Sequence, residues 1–193
     1  MPPSAGGGFG AADERRHRPG PGDDHAEVWT FLGAEPGHHG PVRVVVHLTW
    51  FAAPDRVSFA AAVRLEEERA VLLVAPDLVT PRPGLELRGP GIWADHVVEE
   101  PFERWSLGLE AFGVAVDLPR AADLEVVLAT SGTPELRGDR TALGWDLEWI
   151  ATAVAEADGP DGYRVPALVE GELLVGHDDA VELDLVGEWR HRW

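Results

Sequence analysis

The sequence predicts an all-β chain, an antiparallel β-barrel or strongly curled sheet with few or no helices, and three observations lead there. Short apolar or alternating segments recur between clusters of Gly, Pro and Asp, in a chain holding 22 glycines and 16 prolines. Two segments alternate with a strict period of two: Leu143-Gly144-Trp145-Asp146-Leu147-Glu148-Trp149, and Val181, Leu183 and Leu185 set between Glu182 and Asp184. That period buries one face of a strand and wets the other. Helical periodicity is scarce, and no repeat of fixed length suggests a propeller or solenoid.

Residues 1–25 are rich in turn formers such as Pro19-Gly20-Pro21-Gly22 and contain no apolar run that would serve as a signal-peptide core. They read as a disordered or loosely ordered tail on a soluble, cytoplasmic chain. A single domain over 26–193 follows. Its strands are expected at Val28–Leu32, Val42–Phe51, Val57–Val63, Ala70–Ala75, Leu85–Arg88, Ile92–Val98, Phe102–Asp117, Leu124–Ala129, Leu143–Ile150, Tyr163–Val175 and Ala180–Trp193. Local propensity favours a short helix over Phe59–Ala70 and over Ile150–Ala157. For the first a hairpin is preferred, because Val57–Val63 and Ala70–Ala75 match in length and Glu66, Glu67 and Glu68 suit a solvated turn.

The formal net charge of −18 argues against nucleic acid and against anionic membrane surfaces, both of which call for clustered cations. The longest apolar run, Ala70–Ala75, is far shorter than the roughly 20 residues a membrane helix needs. All 16 basic residues are arginine, a pattern that fits the coding bias of a GC-rich bacterial genome, and there is no cysteine. Disulfides, thiolate metal sites and a thiol nucleophile are therefore excluded. No phosphate loop, EF-hand, His-Glu-x-x-His or nucleophile elbow occurs, so the sequence calls for no metal and no cofactor.

Eight tryptophans, at 29, 50, 93, 105, 145, 149, 189 and 193, are many for this length. Most belong in a core, and the others would line a cavity for an apolar ligand. His38-His39 lies in a Pro- and Gly-rich turn, where exposed loop histidines are the simpler reading than a metal site. His47 and His96 fall on apolar faces and read as core histidines. Asp146 and Glu148 face away from the Trp145 and Trp149 side, which favours surface over catalysis, while Asp95 beside Trp93 sits between aromatics. In Trp189-Arg190-His191-Arg192-Trp193 the two indoles and the imidazole share a face.

The stretch Gly91–Phe112 with Pro101, Glu103 and Trp105, then Gly144–Trp149, Gly171–Gly176 and the closing Gly187–Trp193, resembles bacterial proteins related to carotenoid hydratase (hydroxyneurosporene synthase). The resemblance implies a lipocalin-like β-barrel, the first of the tandem pair that such proteins carry. It also implies a cofactor-independent hydratase chemistry, in which a terminal isoprene double bond is protonated and water captures the cation. A His-x-Trp pair helps form the pocket there, and His191 and Trp193 occupy those positions here. The proton donor, an Asp in a Tyr-x-Asp pair, has no counterpart, since Tyr163 is followed by Arg164 and Val165. Arg190 and Arg192 add positive charge beside His191, which disfavours its protonated form.

The expected function is binding of an apolar, isoprenoid-type small molecule, with His191 as the candidate catalytic residue and Trp189, Trp193, Trp145, Trp149, Trp105 and Trp93 as ligand-binding residues. The alternatives are a non-catalytic lipocalin-like binding module, or half of a two-barrel protein that self-associates or meets a second-barrel partner through residues 187–193.

Overall fold

Alternating large apolar and polar side chains carry the chain through strand after strand of a sheet whose inner face is continuous core. The computed structural model describes residues 8–17, 25–36, 43–66, 68–79, 84–119, 122–130 and 136–193. Its elements are β1 (Ala26–Ala34), β2 (Arg43–Phe51), β3 (Arg56–Glu66), β4 (Arg69–Val79), β5 (Leu87–Gly89), β6 (Ile92–Glu100), β7 (Arg104–Asp117), α1 (Leu124–Thr130), β8 (Asp139–Ala151), β9 (Glu156–Ala157), β10 (Gly162–Val175) and β11 (Val181–Arg192). The protein is all-β, as its alternation predicts, with one short helix.

Every strand pairing is antiparallel, in the order β4-β3-β2-β1-β11-β10-β8-β7-β6-β5, with β9 added to β10. The sheet closes into a ring because β7 serves two neighbours on one side. Its first part, Arg104–Ala111, pairs with β6, while Val114–Asp117 pairs with Arg69–Leu72 of β4. At the other end β5 and β6 are wedged into the ring. β11 has β1 along one edge and β10 along the other, so Gly187 to Arg192 present no free backbone edge for strand addition.

Side chains fill the ring. Trp29, Phe31, Leu48, Phe59, Trp105, Leu107, Leu147, Trp149, Tyr163 and Trp189 belong to one inner cluster. The hairpin expected from 57 to 75 forms as β3 and β4, with Val63 opposite Val71. In β8, Asp146 and Glu148 are exposed and Trp145, Leu147 and Trp149 buried, as the two-residue period requires. At Gly171 the backbone φ is +135°, and a Cβ would lie 2.1 Å from the Asp146 carbonyl oxygen, so this tight crossing of β10 over β8 admits only glycine.

Two expectations are corrected. Residues Leu124–Ala129 form most of α1 rather than a strand. Asp123 caps the helix, its Oδ1 accepting from the Glu125 N–H at 2.9 Å and its carbonyl from the Val127 N–H. Leu124 and Leu128, one turn apart, bury against Val45, Ala62, Ala70 and Leu72 on the outside of the ring. Arg64 gathers the carbonyls of Leu118, Pro119 and Ala122, which fixes the approach to this helix. Asp123→Ala is expected to cost about 1 kcal/mol in urea unfolding, the usual worth of an N-cap. The helix weighed over Ile150–Ala157 does not form, because Ile150 and Ala151 complete β8 and Glu156–Ala157 pair with β10 as β9.

Candidate functional site

One end of the ring, where β1, β7 and β10 begin and β2, β6, β8 and β11 finish, is crossed by residues 8–17. This segment belongs to the stretch read from sequence as a tail. Phe9 packs on Tyr163 and Trp193, with ring centroids 5.4 and 6.5 Å away. The Arg16 guanidinium lies 5.3 Å over the Trp50 ring. Glu14 reaches into the interior and is 1% exposed. Its Oε1 accepts from the Trp105 indole at 3.2 Å, the Trp189 indole at 3.1 Å and the Tyr163 hydroxyl at 3.1 Å. Oε2 accepts the Phe102 N–H at 3.0 Å, and Phe102 is held at a φ of 61°, uncommon for a residue of its size. Burial pushes the Glu14 carboxyl above its ordinary range, and the four donors draw it back only in part. Burial, and after it the Glu14 charge, drives the Tyr163 hydroxyl far up, so it remains a donor.

Beside it sits a second buried carboxyl, Glu27, first inward residue of β1. His191 Nε2 lies 2.9 Å from Glu27 Oε2, and both side chains are fully buried. His191 Nδ1 is 2.7 Å from the Asp13 carbonyl, which only accepts, so Nδ1 carries its proton. The His191 ring stacks on Trp29 at 4.3 Å. Glu27 Oε1 accepts the His17 N–H and meets His25 Nε2 at 3.1 Å. The His17 ring stacks on Trp193 at 4.2 Å; its Nδ1 lies 3.4 Å from Glu27 Oε2, and its Nε2 3.4 Å from Asp13 Oδ1. Burial raises the Glu27 carboxyl, but the bonds from His191 and His25, the His191 charge and the His17 amide outweigh it and the net direction is down. The metal-ligating atoms of His17, Glu27 and His191 all lie within 4.8 Å of one another.

On the β5–β6 side of the same end a cleft of about 750 Å³ opens, lined by Leu85, Val97, Val98, Pro101 and Trp105, with Glu14 and His96 in its wall and Arg15, Arg16, Glu86, Asp95 and Glu99 beside them. His96 points inward from β6 between Phe31 and Phe59. Burial pushes it down to about 4, against a smaller upward pull from Leu85, so the ring is neutral at pH 7. Its Nδ1 lies 3.2 Å from the Leu85 carbonyl and therefore donates, which leaves the Nε2 lone pair as the acceptor.

The structure divides the sequence-predicted residues. Trp189 and Trp105 meet at Glu14; Trp105 and Trp149 face each other across β7 and β8 and pack on Phe31 at 5.3 and 5.4 Å. Trp193 is half-buried against His17. Trp145 is buried in the same inner cluster as Trp105, Trp149 and Trp189, while Trp93 lies apart along a surface groove of about 410 Å³ and its indole donates to Glu86. His47 faces outward and meets Thr30, while His38 and His39 lie outside the described residues. The two arginines turn away from His191: Arg190 pairs with Glu188 and Glu125, and Arg192 with Asp158, on the opposite face. The acid beside His191 comes instead from another strand, as Glu27.

Glu14, His17 and Glu27 escaped sequence reasoning. Glu27 had a signal, since extending β1 by two residues puts it on the face of Trp29 and Phe31, where a carboxylate is out of place. Glu14 and His17 had none, for their neighbours in sequence are polar. No known family, curated protein or solved structure matches the chain. Among the described residues no helix is long and apolar enough to cross a membrane.

Proposed function

We propose that this chain is a lipocalin-like binding module for a small, largely apolar molecule of isoprenoid type, and that the ligand occupies the cleft at the capped end of the ring rather than the ring's centre. The observation that carries this reading is a neutral histidine, His96, offering one acceptor in the wall of a cleft of about 750 Å³ beside Trp105. Such a volume lies in the range of small-molecule sites, where a few polar groups orient a mostly apolar ligand. An alcohol fits this wall better than the parent hydrocarbon, because its O–H has His96 Nε2 to donate to.

Binding is preferred to hydration on the same grounds. Protonating an alkene calls for a carboxylic acid turned toward the substrate. Both buried carboxyls here are ringed by donors and serve as acceptors, and His191 is 0% exposed with each ring nitrogen engaged. His191 acts in this reading as a strut between β11, β1 and the crossing segment.

Titration of tryptophan fluorescence with farnesol, retinol and matched hydrocarbons tests the proposal. The alcohols are expected to give saturable quenching, and His96→Leu to weaken them about fivefold, the worth of one hydrogen bond, while leaving the hydrocarbons unchanged. A flat response across the whole set would remove the reading.

A further inference from the structure

We propose that His17 Nδ1, Glu27 Oε2 and His191 Nε2 form a binding site for one divalent transition-metal ion of the zinc class, with water as the fourth ligand. Two imidazoles and a carboxylate are a ligand set that zinc accepts, with bonds of about 2.0 to 2.2 Å that place neighbouring ligand atoms about 3.3 Å apart around a tetrahedron. The two edges that meet at Glu27 Oε2 are 3.4 Å to His17 and 2.9 Å to His191. One ligand atom from each of the three residues lies within 4.8 Å of the other two. His17, whose side chain is 24% exposed against 0% for the other two, is the member free to rotate and close the third edge.

The atoms around these three behave as the outer shell of a metal site does. Each imidazole has its far nitrogen held by an acceptor: His191 Nδ1 by the Asp13 carbonyl at 2.7 Å, and His17 Nε2 by Asp13 Oδ1 at 3.4 Å. That arrangement points His191 Nε2 and His17 Nδ1 toward Glu27, and an ion there would displace the proton that His191 Nε2 otherwise donates to Glu27 Oε2. The carboxylate is divided in the same way, since Oε1 is taken by the His17 amide and His25, which leaves Oε2 for an ion. A separate observation points the same way: His17 Nδ1 is buried and makes no hydrogen bond among the described residues, a cost without return unless something else binds it. The overall charge of −18 favours cation uptake. The site ties the crossing segment to β1 and β11, so the ion would lock the cap over the end of the ring. It does not depend on the cleft or on its ligand.

The test uses the full chain, stripped with a chelator and titrated calorimetrically with ZnCl₂. One ion per chain is expected, with micromolar or tighter affinity and a rise in melting temperature, because the ion binds only the folded form. Co²⁺ in its place should give the intense visible bands of a tetrahedral site, and Mg²⁺ and Ca²⁺ should give neither response. His17→Gln, at the exposed corner, keeps the fold and is expected to weaken zinc about a hundredfold. The double variant His38→Gln/His39→Gln and the single variant His177→Gln should bind as the parent does. The proposal is overturned by the absence of zinc binding, by unchanged affinity in His17→Gln, or by loss of binding in the His38/His39 double variant.

Discussion

Replacing Glu14 by alanine is expected to destabilise the protein by about 3 kcal/mol, measured as a fall in the urea midpoint with little change in slope. The size follows from what the substitution strands. Two indole N–H groups, those of Trp105 and Trp189, donate to Glu14 Oε1, and the Tyr163 hydroxyl donates to the same oxygen. Each buried donor left unpaired costs about 1 to 3 kcal/mol. The full sum is not reached, because Glu14 also borders the cleft and water can enter from that side. The second oxygen adds its own share, since it holds the Phe102 amide in a backbone conformation that large residues avoid. Glu14→Gln separates charge from acceptor geometry. It keeps Oε1 for three donors and removes the cost of burying a charge, but it sets an NH₂ group against the Phe102 N–H. A loss of about 1 kcal/mol is expected. Equal losses in the two variants would mean that the negative charge, not the arrangement of donors, anchors the segment.

The same residue shows where sequence reading reaches its limit. Period-two alternation is a property of a strand meeting a flat interface, and where that held, in β8 and along β11 from Leu183 to His191, the inward residues were legible. Leu124 and Leu128 were misread because a seven-residue helix gives a single one-turn repeat, too short to separate from a strand with one buried edge. The decisive signals there were the capping Asp123 and the acidic Glu125 in the first turn, both of which belong to helices. The polar network at the ring's end was hidden for another reason. His191 and its acid Glu27 are 164 residues apart, and Glu14 lies 175 residues from Trp189, so no local pattern joins them. A polar segment becomes buried only when a ring of donors stands ready to receive it, and that ring exists only after the sheet has curled. The outward turn of Arg190 and Arg192 was available from alternation alone, which puts them on the face opposite His191.

Stability should also fall as pH drops from about 6.5 toward 4, and His96 should account for about 3 kcal/mol of the loss. In the folded protein burial holds this imidazole down to about 4, whereas in the unfolded chain it takes up a proton near 6.5. Between those values the unfolded state binds more protons, so unfolding is favoured as pH falls; above 6.5 both states are neutral and the contribution is flat. Carboxyls titrate below and into this window. Asp95, raised by its partial burial and by Glu86 and Glu99, adds an opposite slope, since a carboxyl pushed up stabilises the folded state as it takes up its proton. Subtracting the pH profile of His96→Gln from that of the parent isolates the histidine. A difference that stays constant from pH 7 to 4.5 would show that His96 is as free to protonate in the folded state as in water. The same low value bears on binding, because Nε2 keeps its lone pair until the ring protonates. Alcohol affinity should therefore stay level from pH 8 to 5, where an ordinary histidine would have lost most of its acceptor capacity, and a drop near pH 6.5 would place the receiving group elsewhere in the cleft.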